Sequence, residues 1–150
     1  MKKQLVCAIL ALALLSVTAL AVNKEVPIKG SGSGMITAAA PNGNPNELAI
    51  STQGQGEATL LGRFTREESI TLNTATGTAT GTIIFTAADR SELHCTFAGG
   101  FTGANTIAGT YTFAGGTGRF ANAAGSAYFT VVQSDMVNFT FEFAGTIDIN

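Results

Sequence analysis

Apolar and polar residues alternate with a period of two along most of this chain, and no other sequence feature restricts the fold as much. In Gly62–Asn73, Phe64, Ile70 and Leu72 share one face, while threonines and charged residues fill the other. No convincing amphipathic helix pattern of ten residues follows residue 21. Short connections rich in turn-forming residues separate eight such segments. The predicted strands are Val26–Ala38, Glu47–Leu61, Gly62–Asn73 and five more, which carry Ile83–Ala87, Leu93–Phe97, Ile107–Phe113, Ala127–Val131 and Val137–Phe143.

Eight successive antiparallel strands predict an all-β, up-and-down barrel. About this number closes a barrel whose interior either fills with side chains or holds one small ligand, and closure removes the exposed strand edges. Eight of the ten phenylalanines fall on the apolar faces, and burial of each contributes about 1.5–3 kcal/mol. The main alternative is a two-sheet sandwich, which would show a similar alternation.

The first residues have the pattern of an export signal. Lys2 and Lys3 precede an apolar run, Leu5–Leu20, and Ala19-Leu20-Ala21 has the small-residue form of a cleavage site. A membrane anchor is the alternative, but the run is at the short end of the roughly 17–25 residues that a spanning helix needs. We therefore predict a cleaved signal peptide over residues 1–21 and one barrel domain over 22–150. The mature protein would be secreted or periplasmic in a bacterium, without a stable membrane anchor.

Charge and cysteine content exclude several classes of function. Removing Lys2 and Lys3 from the eight basic residues leaves six against ten acidic ones, a net charge of −4 without a basic cluster. Nucleic acid is therefore not an expected partner, because phosphate binding needs clustered Lys and Arg. Of the two cysteines, Cys95 alone follows the predicted cleavage site, so an intrachain disulfide is not expected. A buried thiol is the predicted role of Cys95.

A glycine-rich stretch within Thr110–Thr130 predicts a corner between two strands. Its sequence, GGTGRF, lacks the Lys-Ser or Lys-Thr of a phosphate-binding loop, and no βαβ unit surrounds it. We expect Gly116 to need a positive φ that a β-branched residue resists, and Phe120 to plug one end of the core. The predicted structural residues of the corner are Gly115, Gly116, Gly118, Phe120 and Gly125.

The segment Gly115–Gly125, GGTGRFANAAG, resembles the G-G-T-G-x-F-x-x-A-x-G corner of the dirigent and allene oxide cyclase-like barrel proteins. With Ala58–Thr65 and Phe141–Ile147, it also looks like a group of exported bacterial proteins of unknown role. The resemblance implies an eight-stranded, calycin-like barrel with an internal pocket, and a homo-oligomer, since plant members often form trimers. It carries over no catalytic residue, because Val26–Gly34 has no carboxylate where the plant proteins use acidic and polar residues.

Two charged residues, Arg66 and Glu68, fall on the apolar face of their predicted strand. They could form a polar patch inside the barrel that orients a ligand, because charges kept inside a protein are normally paired. A bulge or the barrel rim could instead leave both in water, and the sequence alone favours this second interpretation. Tyr111 and His94 complete the candidate pocket residues. His94 is the only histidine, and Cys95 beside it faces the opposite side, so no metal site is predicted.

The sequence thus favours an exported barrel that binds a small apolar ligand or a protein partner without catalysis. No nucleophile motif, catalytic residue or cofactor is predicted. One alternative is a cyclase or isomerase with Arg66, Glu68, Tyr111 or His94 lining a pocket, and another is a structural envelope or matrix protein. The shape of the interior distinguishes them, because a lumen filled by phenylalanines would leave no room for a ligand.

Overall fold

Eight antiparallel strands follow one another along residues 24–150, the part of the chain that the computed structural model describes. Each strand pairs with the next, and the last pairs with the first, so the sheet closes into a barrel. The predicted up-and-down barrel is thereby confirmed, while the predicted signal peptide lies outside the described residues. The strands are β1 (Val26–Pro41), β2 (Glu47–Ala58), β3 (Gly62–Asn73), β4 (Thr78–Ala87), β5 (Glu92–Phe101), β6 (Thr106–Gly116), β7 (Ala124–Gln133) and β8 (Asn138–Asp148).

The closing pair, β1 with β8, runs from Val26 opposite Ile147 to Met35 opposite Asn138. The irregular steps in the sheet lie between Ile36 and Ala38 in β1 and between Leu93 and Cys95 in β5. Within residues 24–150, no helix has the length and hydropathy needed to cross a membrane.

Two adjacent glycines, Gly99-Gly100, predict a break or bulge in their strand, but the structure has neither at this point. Both glycines continue β5 and pair with Gly109 and Ala108 of β6. A Cβ at Gly99 would overlap the backbone carbonyl of Ala108. Gly99 therefore allows β5 and β6 to approach closely, and β5 continues through it.

Aromatic rings fill most of the barrel interior. All eight phenylalanines that the alternation placed on apolar faces are buried, with exposures of 7% or less. Phe64 meets Phe85 edge-on at 5.2 Å between ring centroids, and Tyr111 stacks on Phe129 at 4.4 Å. Such aromatic pairs contribute about 0.5–1.5 kcal/mol beyond the area that they bury.

The glycines of β1 make room for these rings. Gly30, Gly32 and Gly34 face inward, and a Cβ on each would come within 2.5–2.7 Å of a phenyl ring of β8. The rings belong to Phe143, Phe141 and Phe139 respectively. The middle of β1 is thus a wall without inward side chains, against which one edge of the aromatic core packs.

A short 3₁₀ turn, Gly118–Phe120, forms the predicted corner between β6 and β7. Its last residue, Phe120, is fully buried. Thr117 fixes the turn to the start of β5, because its backbone N–H donates to Glu92 O (2.9 Å) and its Oγ1 accepts from Glu92 N (3.0 Å). Gly115 and Gly118 have φ values of 78° and 56°, which favour glycine.

Gly116 has the positive φ that the sequence predicted, with a value of 158°, which residues with a side chain rarely adopt. A neighbouring strand constrains it as well, because a Cβ at Gly116 would overlap the carbonyl oxygen of Glu92. The glycine is therefore required both by its own backbone conformation and by the close approach of β5 and β6.

Candidate functional site

Arg66 lies inside the barrel. The alternation of β3 places it on the inner face between Phe64 and Ile70, and its side chain is 0% exposed. The interpretation that a rim or a bulge leaves Arg66 in water is therefore wrong. The buried charge has ordered partners, as a charge in a low-dielectric interior needs.

Two hydrogen-bond partners and three phenylalanine rings surround the Arg66 guanidinium. Its Nη2 donates to Glu68 Oε2 (2.6 Å), and its Nη1 donates to Tyr111 OH (3.3 Å). The Phe141 ring lies 4.2 Å from the guanidinium carbon, within cation–π range. Burial alone would lower the pKa of Arg66, but Tyr111 and Glu68 outweigh it and raise the pKa, so the guanidinium remains charged. Among the buried side-chain polar atoms of residues 24–150, Arg66 Nε has no hydrogen-bond partner.

Tyr111 projects inward from β6 and is 1% exposed. Burial is the main reason that the pKa of Tyr111 rises to about 12, and the nearby Arg66 charge offsets part of that effect. At neutral pH, Tyr111 is a protonated phenol whose oxygen accepts from Arg66. It is therefore poorly suited to act as a general base.

Glu68 is held through one of its two carboxylate oxygens. Its Oε2 accepts from Arg66 Nη2 and from Thr52 Oγ1 (2.8 Å). Within the described chain, Oε1 makes no hydrogen bond to protein, although the side chain is only 8% exposed. One carboxylate oxygen of a nearly buried residue is therefore left for another donor.

Thr52 also belongs to the site, although it was not predicted from the sequence. It lies opposite Glu68 in the pairing of β2 with β3 and is 4% exposed. A sequence signal did exist, because Thr52 shares the inward face of Leu48 and Ile50. The register that brings it to Glu68 could not be obtained from either strand alone.

A cavity of about 80 Å³ opens above this cluster, at the barrel end away from the corner. Thr52 and Glu68 lie deep in it, whereas Phe101 at the rim is 42% exposed. Apart from Thr52, Glu68 and Gln133, its lining is apolar: Ile36, Ile50, Ile70, Leu72, Ala79, Phe97, Phe101, Ile107, Phe129, Val131 and Phe139. The arrangement is typical of a small-molecule site, with few polar groups in an apolar wall.

The interior is thus divided into two parts. Toward the corner, rings such as Phe64, Phe85 and Phe143 pack against one another and fill the lumen. Toward the opposite end, the cavity remains, with Glu68 at its base. Wider grooves also lie on the outer wall, for example beside Glu57 and Arg63, but these polar side chains are exposed.

The structure does not bring His94 to this site. It lies on the outer face of β5, with a side chain 40% exposed, and its Nε2 lies 2.9 Å from Glu92 Oε2. Cys95 points inward, and burial raises the pKa of its thiol. Residues 24–150 contain no group of three His, Cys, Asp or Glu side chains arranged to hold a metal ion. The corner glycines are not part of the cavity wall.

Geometry defines the protein as a closed eight-stranded barrel with a buried ion pair beneath an end cavity. Comparison with solved structures finds a similar fold in a pterocarpan synthase dirigent protein, at 13% sequence identity and a TM-score of 0.52. The match covers 85% of this chain and 92% of that one. The fold is thus a dirigent-like barrel, as the resemblance of the corner predicted. No protein-family model matches the chain, and no curated protein sequence matches it.

Proposed function

We propose that this protein is an exported barrel that binds a small, largely apolar ligand in its end cavity without catalysing a reaction. One observation carries the proposal: Arg66, Glu68, Thr52 and Tyr111 form a connected polar cluster, of which Glu68 and Thr52 line a largely apolar cavity. A few fixed polar groups in an apolar wall orient a ligand. The dirigent-like barrel fold supplies an interior in which such a cavity can form.

The cost of the ion pair supports a role beyond stability. Taking two charges out of water costs several kcal/mol per ion, and well-packed apolar residues are often as stable or more so. Arg66 and Glu68 lie on the inner face of β3, between Phe64 and Ile70. Most other inward positions of the barrel carry apolar side chains. Selection for stability alone would therefore not favour this pair.

Catalysis is less well supported than binding. An isomerase or cyclase would need a group able to exchange a proton near neutral pH. The pKa of Tyr111 is about 12, Arg66 is charged and paired, and His94 lies outside the barrel. Glu68 is the one member of the cluster of a type that commonly exchanges protons, and it is held in an ion pair with Arg66. The cluster is therefore better suited to hold and orient a ligand than to catalyse a reaction.

Native mass spectrometry of the protein from an exporting host tests this proposal. Ala79 is 3% exposed and lines the cavity, so Ala79→Leu should fill it, whereas Thr80→Leu adds the same side chain on the exposed face of β4. We expect a small co-purified molecule on the wild type and on Thr80→Leu, but not on Ala79→Leu. Equal occupancy of all three proteins would place the ligand elsewhere and contradict the proposal.

A further inference from the structure

We propose that the cavity takes the hydroxyl end of a slender, neutral aliphatic molecule, with Glu68 Oε1 accepting its hydrogen bond. This inference rests on the proposed binding function and specifies its ligand class. The ligand would resemble a straight-chain primary alcohol, with its alkyl chain leading out past Phe101 at the rim.

The unpartnered oxygen calls for a donor. An ionised carboxylate accepts hydrogen bonds through both oxygens and donates none. Arg66 and Thr52 both bond to Oε2, which leaves Oε1 without a partner among the described residues, and Glu68 is part of the cavity wall. A ligand that only accepts hydrogen bonds would leave Oε1 unsatisfied, and such a loss is costly in an apolar surrounding.

The charges at the base of the cavity favour a neutral donor. Arg66 balances the charge of Glu68 through a 2.6 Å ion pair. A ligand ammonium group would add an uncompensated positive charge to a nearly buried site, and a ligand carboxylate would lie against Glu68. A hydroxyl group supplies the donor without either penalty.

The size of the cavity favours a slender molecule. Its volume is about 80 Å³, roughly half of an engineered 150 Å³ apolar cavity that admits benzene. An alkyl chain requires less width than an aromatic ring and can extend between the apolar side chains of Ile36, Phe101 and Val131 at the rim. The geometry therefore points to an aliphatic ligand.

Binding of four matched probes to the exported protein tests the inference. The probes are 1-hexanol, 1-methoxypentane, which has the same number of heavy atoms but no donor, hexanoate and hexylammonium. Affinities can be measured by NMR titration of the isoleucine methyl groups around the cavity. We expect 1-hexanol to bind at least about tenfold tighter than each of the others, the effect of one hydrogen bond to a charged group. Phenol should bind less tightly than 1-hexanol.

The variant Glu68→Gln gives a second measurement. Its amide oxygen can still accept from Arg66 and Thr52, which turns its NH₂ group toward the cavity in place of Oε1. We expect the preference for 1-hexanol over 1-methoxypentane to fall to about one, while circular dichroism shows a folded barrel. A preserved preference would contradict the role of Oε1.

The wild-type titrations separate the two proposals. If no probe binds in the cavity, the proposed binding function fails. If 1-methoxypentane, hexanoate, hexylammonium or phenol binds as tightly as 1-hexanol, the binding function stands and the assignment of a neutral, slender hydroxyl ligand is overturned.

Discussion

Arg66 is held inside the barrel by Glu68, Tyr111 and the surrounding aromatic rings, so its replacement should affect more than one partner. In Arg66→Met, the Glu68 carboxylate loses its counter-charge in a nearly buried position. We expect a loss of about 3–5 kcal/mol in the free energy of unfolding, as when one partner of a buried pair is removed. Urea denaturation measures this loss.

The matched control for that substitution removes both charges together. Arg66→Met combined with Glu68→Leu leaves no buried carboxylate, so its stability should return close to that of the wild type. A double variant as unstable as Arg66→Met would show that the ion pair is not the origin of the effect. Packing of the Arg66 side chain would then be the cause.

Tyr111 should make stability depend on alkaline pH. Its pKa is about 12 in the folded protein, against about 10 in an unfolded chain. Because the folded pKa is the higher, this contribution is fully present below pH 10 and is lost as the pH rises from 10 to 12. The two-unit difference corresponds to about 3 kcal/mol.

Urea denaturation between pH 9 and pH 12 measures this dependence. Tyr111→Phe should remove the part of the stability loss between pH 10 and pH 12 that comes from ionisation of Tyr111. Tyr128, the other tyrosine, is 79% exposed, so Tyr128→Phe should retain the wild-type profile. Identical profiles for the two variants would contradict the assignment to Tyr111.

At the scale of the corner, Gly116 offers the sharpest test of how the strands are joined. A Cβ there would overlap the Glu92 carbonyl oxygen, so even Gly116→Ala should lower Tm by several degrees, and Gly116→Val by more. A Cβ at Gly103 would meet no atom within 4 Å, and this glycine lies in the exposed connection between β5 and β6. Gly103→Ala should therefore leave Tm nearly unchanged. Thermal unfolding followed by circular dichroism compares them, and equal Tm values would refute the close contact.

The strands could be predicted from the sequence because each depends on its own alternation. The inward phenylalanines and the corner with Phe120 followed from local pattern. At Gly99-Gly100 the local pattern wrongly predicted a break in the strand. These glycines continue β5, and Gly99 allows β6 to approach closely. Residues that look like strand breakers can therefore mark close strand pairs in a barrel.

The candidate site was less accessible to prediction because it depends on three different strands. Arg66 and Glu68 were visible as charges on an apolar face, but Tyr111 is 45 positions from Arg66 and reaches it only after the barrel closes. Whether the guanidinium is buried depends on that distant partner. The sequence indicated which residues were unusual, while the tertiary register determined their environment.

For the whole barrel, the end cavity allows a ligand to bind but lowers the free energy of unfolding. Filling an apolar void commonly adds about 0.5–2 kcal/mol to the free energy of unfolding. Ala79→Leu places three more carbon atoms beside the 80 Å³ space, so we expect it to raise Tm while abolishing uptake of 1-hexanol. Thr80→Leu, on the exposed face of the same strand, should change neither property. Calorimetry with and without 1-hexanol measures both. A filled cavity that lowered Tm would indicate that the lining is already closely packed, whereas retained uptake would place binding outside the barrel.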